Sequence, residues 1–107
     1  MLEMLEDFPI IDTLLVPIGG GGLLSGCSIV AKHIKKNIKI IGIQTENFPS
    51  FYNSFYNTNK TFMASSVAEG IAVKKVGKLN SKILKKYVDK CVLVKEKKIE
   101  EAISHFL

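Results

Sequence analysis

The first half of the chain places a segment of helical periodicity between two apolar runs of strand length. Residues 13–18 and 38–45 are nearly continuous in apolar residues, which is typical of parallel strands buried on both faces. Between them, apolar residues recur at helical spacing through about residue 36. The apolar side of this predicted helix consists of Leu24, Cys27, Ala31 and Ile34, and its outer side carries Lys32, Lys35 and Lys36. The pattern predicts one right-handed βαβ unit.

Two further helices are predicted before residue 57. Residues 1–7 are amphipathic and precede Pro9, so they predict the last turns of a helix. Pro49 and Ser50 can open another helix, and its inward positions are Phe51 and Phe55, with Tyr52 and Tyr56 as further candidates. Residues 57–66 lack clear periodicity, so they predict a loop.

The last part of the chain predicts a helix, a strand and a final helix. Asn80 or Ser81 can cap a helix that runs through Tyr87. Residues 91–95 predict a third short strand, and residues 96–107 predict a helix. The residues expected to face inward are Ile83, Leu84 and Tyr87 in the first helix, and Ile99, Ile103 and Phe106 in the second.

The predicted fold class is α/β, with three parallel strands between layers of helices. A sheet of three strands offers little area for terminal helices to cover, and its outer strands present unpaired edges. We therefore expect a three-layer parallel-sheet fragment of a larger α/β domain.

Charge and hydropathy exclude some classes of function. The formal net charge is +5, but all 15 basic residues are lysines, and the bidentate guanidinium groups that read guanine are absent. We therefore expect no nucleic-acid partner. The apolar runs are too short to cross a bilayer, and the start of the chain lacks the basic and apolar regions of a secretory signal. We expect no membrane association and a cytoplasmic location.

The cysteines and histidines do not predict a metal site. Cys27 and Cys91 lie in a predicted helix and a predicted strand, without the spacing of metal ligands. His33 and His105 are isolated on predicted helices. We expect free thiols, no metal ion and no catalytic histidine.

A run of glycines follows the first predicted strand. Gly19 to Gly22 stand between the apolar run and the helix, where glycine lets the chain turn sharply and lets an anion approach the main chain. The first N–H groups of a helix have no intrahelical partner, and the helix dipole adds to their attraction for phosphate. The sequence predicts a phosphate site built from backbone groups, with a simple glycine-rich turn as the alternative.

Three better-known motifs do not fit the spacing of this run. A dinucleotide fingerprint would need glycine at one of positions 23, 24 or 25, and a P-loop would need lysine where Cys27 stands. A nucleophile elbow would need one residue between Ser25 and Gly26. The predicted phosphate site therefore has no lysine clamp.

Two segments in order resemble a known family. Residues 16–23, VPIGGGGL, are followed by residues 68–77, AEGIAVKKVG. Together they resemble threonine dehydratase (threonine deaminase) and its relative serine racemase, in the fold-type-II pyridoxal-phosphate family. The similarity runs over essentially the whole chain, so residues 1–107 would be the middle portion of a pyridoxal-phosphate-binding catalytic domain.

The resemblance implies a cofactor and a set of residues that bind it. The cofactor is pyridoxal 5′-phosphate, and its phosphate would be bound by main-chain N–H groups. The residues implied for cofactor binding are Gly19, Gly20, Gly21, Gly22 and Leu23, with Glu69 and Gly70 beside the cofactor ring. The whole enzyme would convert L-threonine to 2-oxobutanoate and ammonia, as in isoleucine biosynthesis, or L-serine to pyruvate, and a homo-oligomer is expected.

The chain departs from the family pattern at other positions. No lysine matches the Schiff-base lysine, and the asparagine-histidine segment and late serine of the family are missing, so no catalytic residue is assigned here. Gln44 stands where some serine racemases have a cation-binding glutamate, which favours threonine dehydratase. The alternatives are a segment of a serine dehydratase or racemase, and a non-catalytic module that binds a phosphate ligand.

Overall fold

The computed structural model describes residues 1–106, in which helices alternate with parallel strands. The elements are α1 (Leu2–Asp7), β1 (Thr13–Pro17), α2 (Gly22–Ile34), β2 (Lys39–Thr45), α3 (Ser50–Tyr56), a 3-10 helix (Glu69–Ile71), α4 (Lys78–Tyr87), β3 (Lys90–Val94) and α5 (Glu96–Phe106). Each predicted helix and strand is present, with ends shifted by one or two residues at most places. Residues 57–66 form the predicted loop.

The three strands form one parallel sheet in the order β1-β2-β3. Leu14 pairs with Ile40, and Gly42 pairs with Cys91. The α/β class and the parallel sheet predicted from the apolar runs are confirmed. All three strands run in one direction, so their carboxyl ends lie together. The glycines, which follow the carboxyl end of β1, are therefore close to the carboxyl ends of β2 and β3.

One face of the sheet forms the core against the helices. Ile18 and Ile40 are completely buried there, together with Leu24 of α2 and Leu84 of α4. Gly42 is essential to this packing, because a Cβ on it would collide with Cδ1 of Ile18 and lie 3.2 Å from Cδ2 of Leu24.

The second face of the sheet is only partly covered. Leu15 is 59% exposed, so the prediction that the first strand is buried on both faces is wrong for the described residues. Ile103 and Phe106 of α5 are exposed rather than turned inward as predicted. They form one side of an apolar groove of about 540 Å³ whose other side includes Ile43 and Val94. Ile103 and Phe106 are exposed because α5 lines one side of this groove and leaves it open.

Helix α2 also differs from its predicted pattern. Ile34 is 48% exposed, whereas Ser25 and Ser28 are buried. Lys32 and Lys35 are half-buried rather than outside, because their ammonium groups bind backbone carbonyl groups: Lys32 donates to Ile38 O at 2.7 Å, and Lys35 donates to Pro9 O at 3.0 Å.

The outer edge of β3 is bonded to a side chain of α3. The hydroxyl group of Tyr56 accepts the N–H of Cys91 at 3.1 Å and donates to its carbonyl at 3.2 Å. Tyr56, which the sequence offered as a candidate inward position, is 40% exposed and lies at the edge of the sheet. One side chain thus satisfies both backbone groups that an edge strand leaves open at this residue.

Candidate functional site: the glycine loop and the 69–71 corner

The glycine loop, residues 19–22, lies at the carboxyl end of β1 as predicted. The N–H of Ile18 still donates to the carbonyl of Ile43 at 2.7 Å, in line with the sheet. The chain then turns, and Gly21 is the N-cap of α2 with φ +93°. This left-handed conformation favours glycine, since a Cβ would strain it.

The loop leaves a group of backbone donors without protein acceptors. Among residues 1–106, the N–H groups of the five residues from Gly19 to Leu23 donate no hydrogen bond to the protein. The first N–H that does so in α2 is that of Ser25, which bonds Gly21 O at 2.9 Å. These donors stand at the positive end of a helix of 13 residues, an arrangement suited to an anion.

The second family-like segment, residues 68–77, turns tightly at residues 69–71, and this 69–71 corner lies against the glycine loop. The 3-10 helix is closed by bonds from Ile71 N to Ala68 O and from Ala72 N to Glu69 O, both at 3.1 Å. A Cβ on Gly19 would lie only 3.1 Å from the carbonyl oxygen of Gly70. The structure therefore brings the loop and the 69–71 corner together, although they are distant in sequence. The side chain of Glu69 is exposed.

The inner side of the loop packs on α4. A Cβ on Gly21 would lie 3.0 Å from atoms of both Asn80 and Val76. The side-chain amide of Asn80 donates to the carbonyl of Gly20 at 3.1 Å. The sequence prediction that Asn80 or Ser81 caps α4 is wrong, since Gly77 is the N-cap. Asn80 is instead a contact of the glycine loop, which only the packing of α4 on α2 reveals.

A carboxylate anchors the segment that leads into the corner. Glu96 accepts hydrogen bonds from the Thr45 hydroxyl at 2.9 Å, the Asn47 amide at 3.1 Å and the Val67 N–H at 3.0 Å. Partial burial raises the pKa of Glu96, but hydrogen bonds from Ser66, Thr45 and Val67 outweigh it, so the pKa lies below its usual value. The ionised carboxylate thus connects β2, α5 and the residues before the corner.

Gln44 has a structural role next to this site. Its side chain is completely buried. Its amide nitrogen donates to the Ser50 hydroxyl at 3.1 Å, and its amide oxygen accepts the Tyr52 N–H at 2.9 Å. A neutral side chain therefore organises the start of α3.

The absence of a metal ion stays a prediction. Residues 1–106 contain no group of three or more metal-binding side chains, and His33 and His105 are exposed. Cys27 and Cys91 are both free thiols, and burial raises the pKa of Cys91 to about 12. In this part of the chain no helix is both long and apolar enough to cross a membrane.

A comparison with protein families matches residues 1–107 to the model described as "Pyridoxal-phosphate dependent enzyme". The chain belongs to this family. The cofactor of the family is pyridoxal phosphate, as the resemblance implied. The N–H groups of residues 19–23, which have no protein acceptors, and the lack of a side chain at Gly19 fit the phosphate group of such a cofactor.

Curated relatives narrow the position of the chain within the pyridoxal-phosphate dependent enzymes. It is 44% identical to L-threonine ammonia-lyase of Thermotoga maritima over 108 aligned residues, covering 99% of this chain and 27% of that protein. It is 37% identical to a catabolic L-threonine dehydratase of Staphylococcus aureus, covering 99% of this chain and 31% of that protein. The chain thus spans less than a third of these relatives.

Solved structures of the family have the same fold. Maize serine racemase matches with a TM-score of 0.86 at 30% identity, covering 96% of this chain and 33% of that one. The processed form of threonine deaminase isoform 2 from Solanum lycopersicum matches with a TM-score of 0.85 at 30% identity, covering 96% and 31%. The predicted resemblance to threonine dehydratase and serine racemase is confirmed.

Proposed function

We propose that this chain is the part of an L-threonine ammonia-lyase that binds the phosphate group of pyridoxal phosphate. Residues 1–107 would be a middle portion of the catalytic domain. That they are only a part of it is supported by their alignment with 27% of the Thermotoga maritima enzyme and 31% of the Staphylococcus aureus enzyme. The catalytic lysine would then come from outside these residues.

The observation that carries this proposal is the contact between the glycine loop and the 69–71 corner. Gly19 faces the Gly70 carbonyl so closely that a Cβ would lie 3.1 Å from it, and the free N–H groups of residues 19–23 begin at this contact. The loop can donate several hydrogen bonds to phosphate oxygens. Glu69 and Gly70 would lie beside the cofactor ring.

In this proposal the chain binds and orients rather than transfers protons. When bound, pyridoxal phosphate supplies an electron sink for the loss of the α-proton and β-hydroxyl of threonine, and the products are 2-oxobutanoate and ammonia. Gly19 to Leu23 would fix the phosphate end of the cofactor. A fixed phosphate limits rotation of the reacting end, which is a positioning contribution to the rate.

L-serine is the second candidate substrate. The observation that favours it is the structural match to maize serine racemase, with a TM-score of 0.86. We place threonine first because the curated relatives act on L-threonine by name. Homo-oligomer formation, a cytoplasmic location and a role in isoleucine biosynthesis are part of the proposal, and the exposed apolar sheet face supports the first of these.

The test is a product assay on the intact protein that carries this chain. With pyridoxal phosphate present, we expect L-threonine to yield 2-oxobutanoate faster than L-serine yields pyruvate. Conversion of serine to its D-enantiomer as the main reaction would favour the racemase alternative. Binding of pyridoxal phosphate without turnover of either amino acid would support a non-catalytic module and overturn the lyase proposal.

A further inference from the structure

The carbonyl group of Gly20 is turned towards α4 by two donors. The amide nitrogen of Asn80 lies 3.1 Å from this oxygen, and the backbone nitrogen of Gly77 lies 3.4 Å from it. Both donors belong to the first turn of α4 or its N-cap. The orientation of this one carbonyl is therefore set by α4 rather than by the loop itself.

The peptide group that contains this carbonyl also contains the N–H of Gly21. No peptide bond in the described chain is cis, and in a planar trans peptide the C=O and N–H point in opposite directions. Because Gly20 C=O points towards α4, Gly21 N–H points away from it. That N–H has no protein acceptor among residues 1–106.

Asn80 contacts the loop and its helix in two further ways. A Cβ on Gly21 would lie 3.0 Å from the Cβ of Asn80, so the side chain of Asn80 packs against the left-handed turn at Gly21. The hydroxyl of Ser25 donates to the Asn80 carbonyl at 3.5 Å. The same residue thus contacts the loop just before α2 and the first turn of α2.

We propose that Asn80 is a positioning residue for the phosphate site: by binding the Gly20 carbonyl, it directs the Gly21 N–H towards the bound phosphate. This inference rests on the proposed function, since it takes residues 19–23 as the phosphate site. Asn80 itself does not touch the phosphate. Without its amide, the Gly20–Gly21 peptide retains one longer hydrogen bond, from Gly77, and can rotate.

The test compares two ligands that differ only in the phosphate group. Dissociation constants for pyridoxal phosphate and for pyridoxal are measured by absorbance on the intact protein and its Asn80→Ala variant. We expect Asn80→Ala to weaken pyridoxal phosphate binding about tenfold, the effect of one misdirected charge-assisted hydrogen bond. Pyridoxal binding should be unchanged, whereas a general loss of structure would weaken both ligands equally.

Two more variants complete the design. Asn59→Ala removes an exposed asparagine from the 57–66 loop and should leave both constants unchanged. Asn80→Asp keeps the shape of the side chain but cannot donate through its ionised carboxylate, so it should also lose selectivity for the phosphate, and it takes over the test if Asn80→Ala does not fold.

The possible outcomes separate this inference from the proposed function. A wild-type protein that selects pyridoxal phosphate over pyridoxal, with equal selectivity in Asn80→Ala and Asn80→Asp, would overturn the role of Asn80 alone. A wild-type protein without such selectivity would overturn the phosphate site and the inference together.

Discussion

The ammonium group of Lys32 lies 3.0 Å from the carboxylate of Asp89. The same carboxylate oxygen accepts the N–H of Ile40 at 2.8 Å, and Lys32 also donates to the carbonyl of Ile38 at 2.7 Å. This pair connects the last part of α2 to the start of β2 and to the residue before β3. It lies at the end of the βαβ unit opposite the glycine loop, so its effects should be on stability.

Asp89→Asn should destabilise the protein at neutral pH by about 0.5–1 kcal/mol, the usual effect of a partly exposed ion pair. Burial raises the pKa of Asp89, but the hydrogen bonds from Ile40 and Lys32 outweigh it and lower the pKa below its usual 3.8. A lowered pKa adds stability above the unfolded value, and this stability is lost as the pH falls through the folded value.

Urea unfolding at pH 7 and at about pH 2 tests this assignment. The difference in unfolding free energy between wild type and Asp89→Asn should be present at pH 7 and become smaller in acid, because protonation makes the Asp89 carboxyl group neutral like the asparagine amide. Asp7→Asn, at an exposed residue at the end of α1, is the control. A difference of equal size at both pH values would contradict the ionic role of Asp89.

Gly21→Ala should disturb the phosphate site. The residue has φ +93°, and its Cβ would lie 3.0 Å from atoms of Asn80 and Val76, so an alanine is strained by conformation and by contact. We expect a loss of about 1–3 kcal/mol in the free energy of unfolding.

Gly26→Ala is the matched control for this substitution. It lies in α2, where an added Cβ meets nothing within 4 Å, and alanine is favoured over glycine inside a helix by about 1 kcal/mol. Thermal unfolding should therefore show opposite shifts for the two variants. Equal shifts would show that the left-handed turn at Gly21 is not required.

Gly42→Ala should destabilise the core by about 1–3 kcal/mol, since the new methyl group collides with Cδ1 of Ile18. Ile18→Val removes that atom. The double variant should therefore recover part of the loss, which a double-mutant cycle from urea unfolding would measure as a favourable coupling. Strict additivity of the two substitutions would argue against this contact.

Glu96→Gln should loosen the residues before the corner. A glutamine amide can accept through only one of its two end atoms, so at least one of the bonds from Thr45, Asn47 and Val67 is lost, at about 1 kcal/mol. Hydrogen exchange followed by mass spectrometry should show faster exchange in residues 64–72, with little change in α2.

The control for Glu96 is Glu100→Gln, one turn further along α5 at an exposed position. The wild-type protection of residues 64–72 should also weaken in acid, because the lowered pKa of Glu96 makes its contribution present above the unfolded value and lost as the pH falls through the folded one. Protection that is the same in Glu96→Gln as in wild type would rule out the anchoring role.

The sequence predicted those features that depend on local pattern. Alternation of apolar runs with helical spacing predicted β1, α2 and β2, and the glycines predicted a turn at a helix N-terminus. The role of Asn80 could not be predicted, because an asparagine early in a helix has the same local signal as a cap. Lys32 and Lys35 were expected in solvent, because spacing along a helix does not show which carbonyl groups from other segments lie within reach of a long side chain.

The exposure of Leu15 and Phe106 could not be predicted either. Apolar residues at these positions predict burial, and within residues 1–106 nothing covers them fully. A sequence pattern states that a face is apolar but does not say which segment or copy of the chain packs against it.

The hydroxyl of Tyr56 makes the two free edges of the sheet unequal for the addition of another strand. Pairing another strand along β3 would displace this hydroxyl and break both of its hydrogen bonds to Cys91. Pairing another strand along the free edge of β1 would leave both hydrogen bonds of Tyr56 intact. Strand addition along β3 therefore costs two hydrogen bonds that strand addition along β1 does not cost.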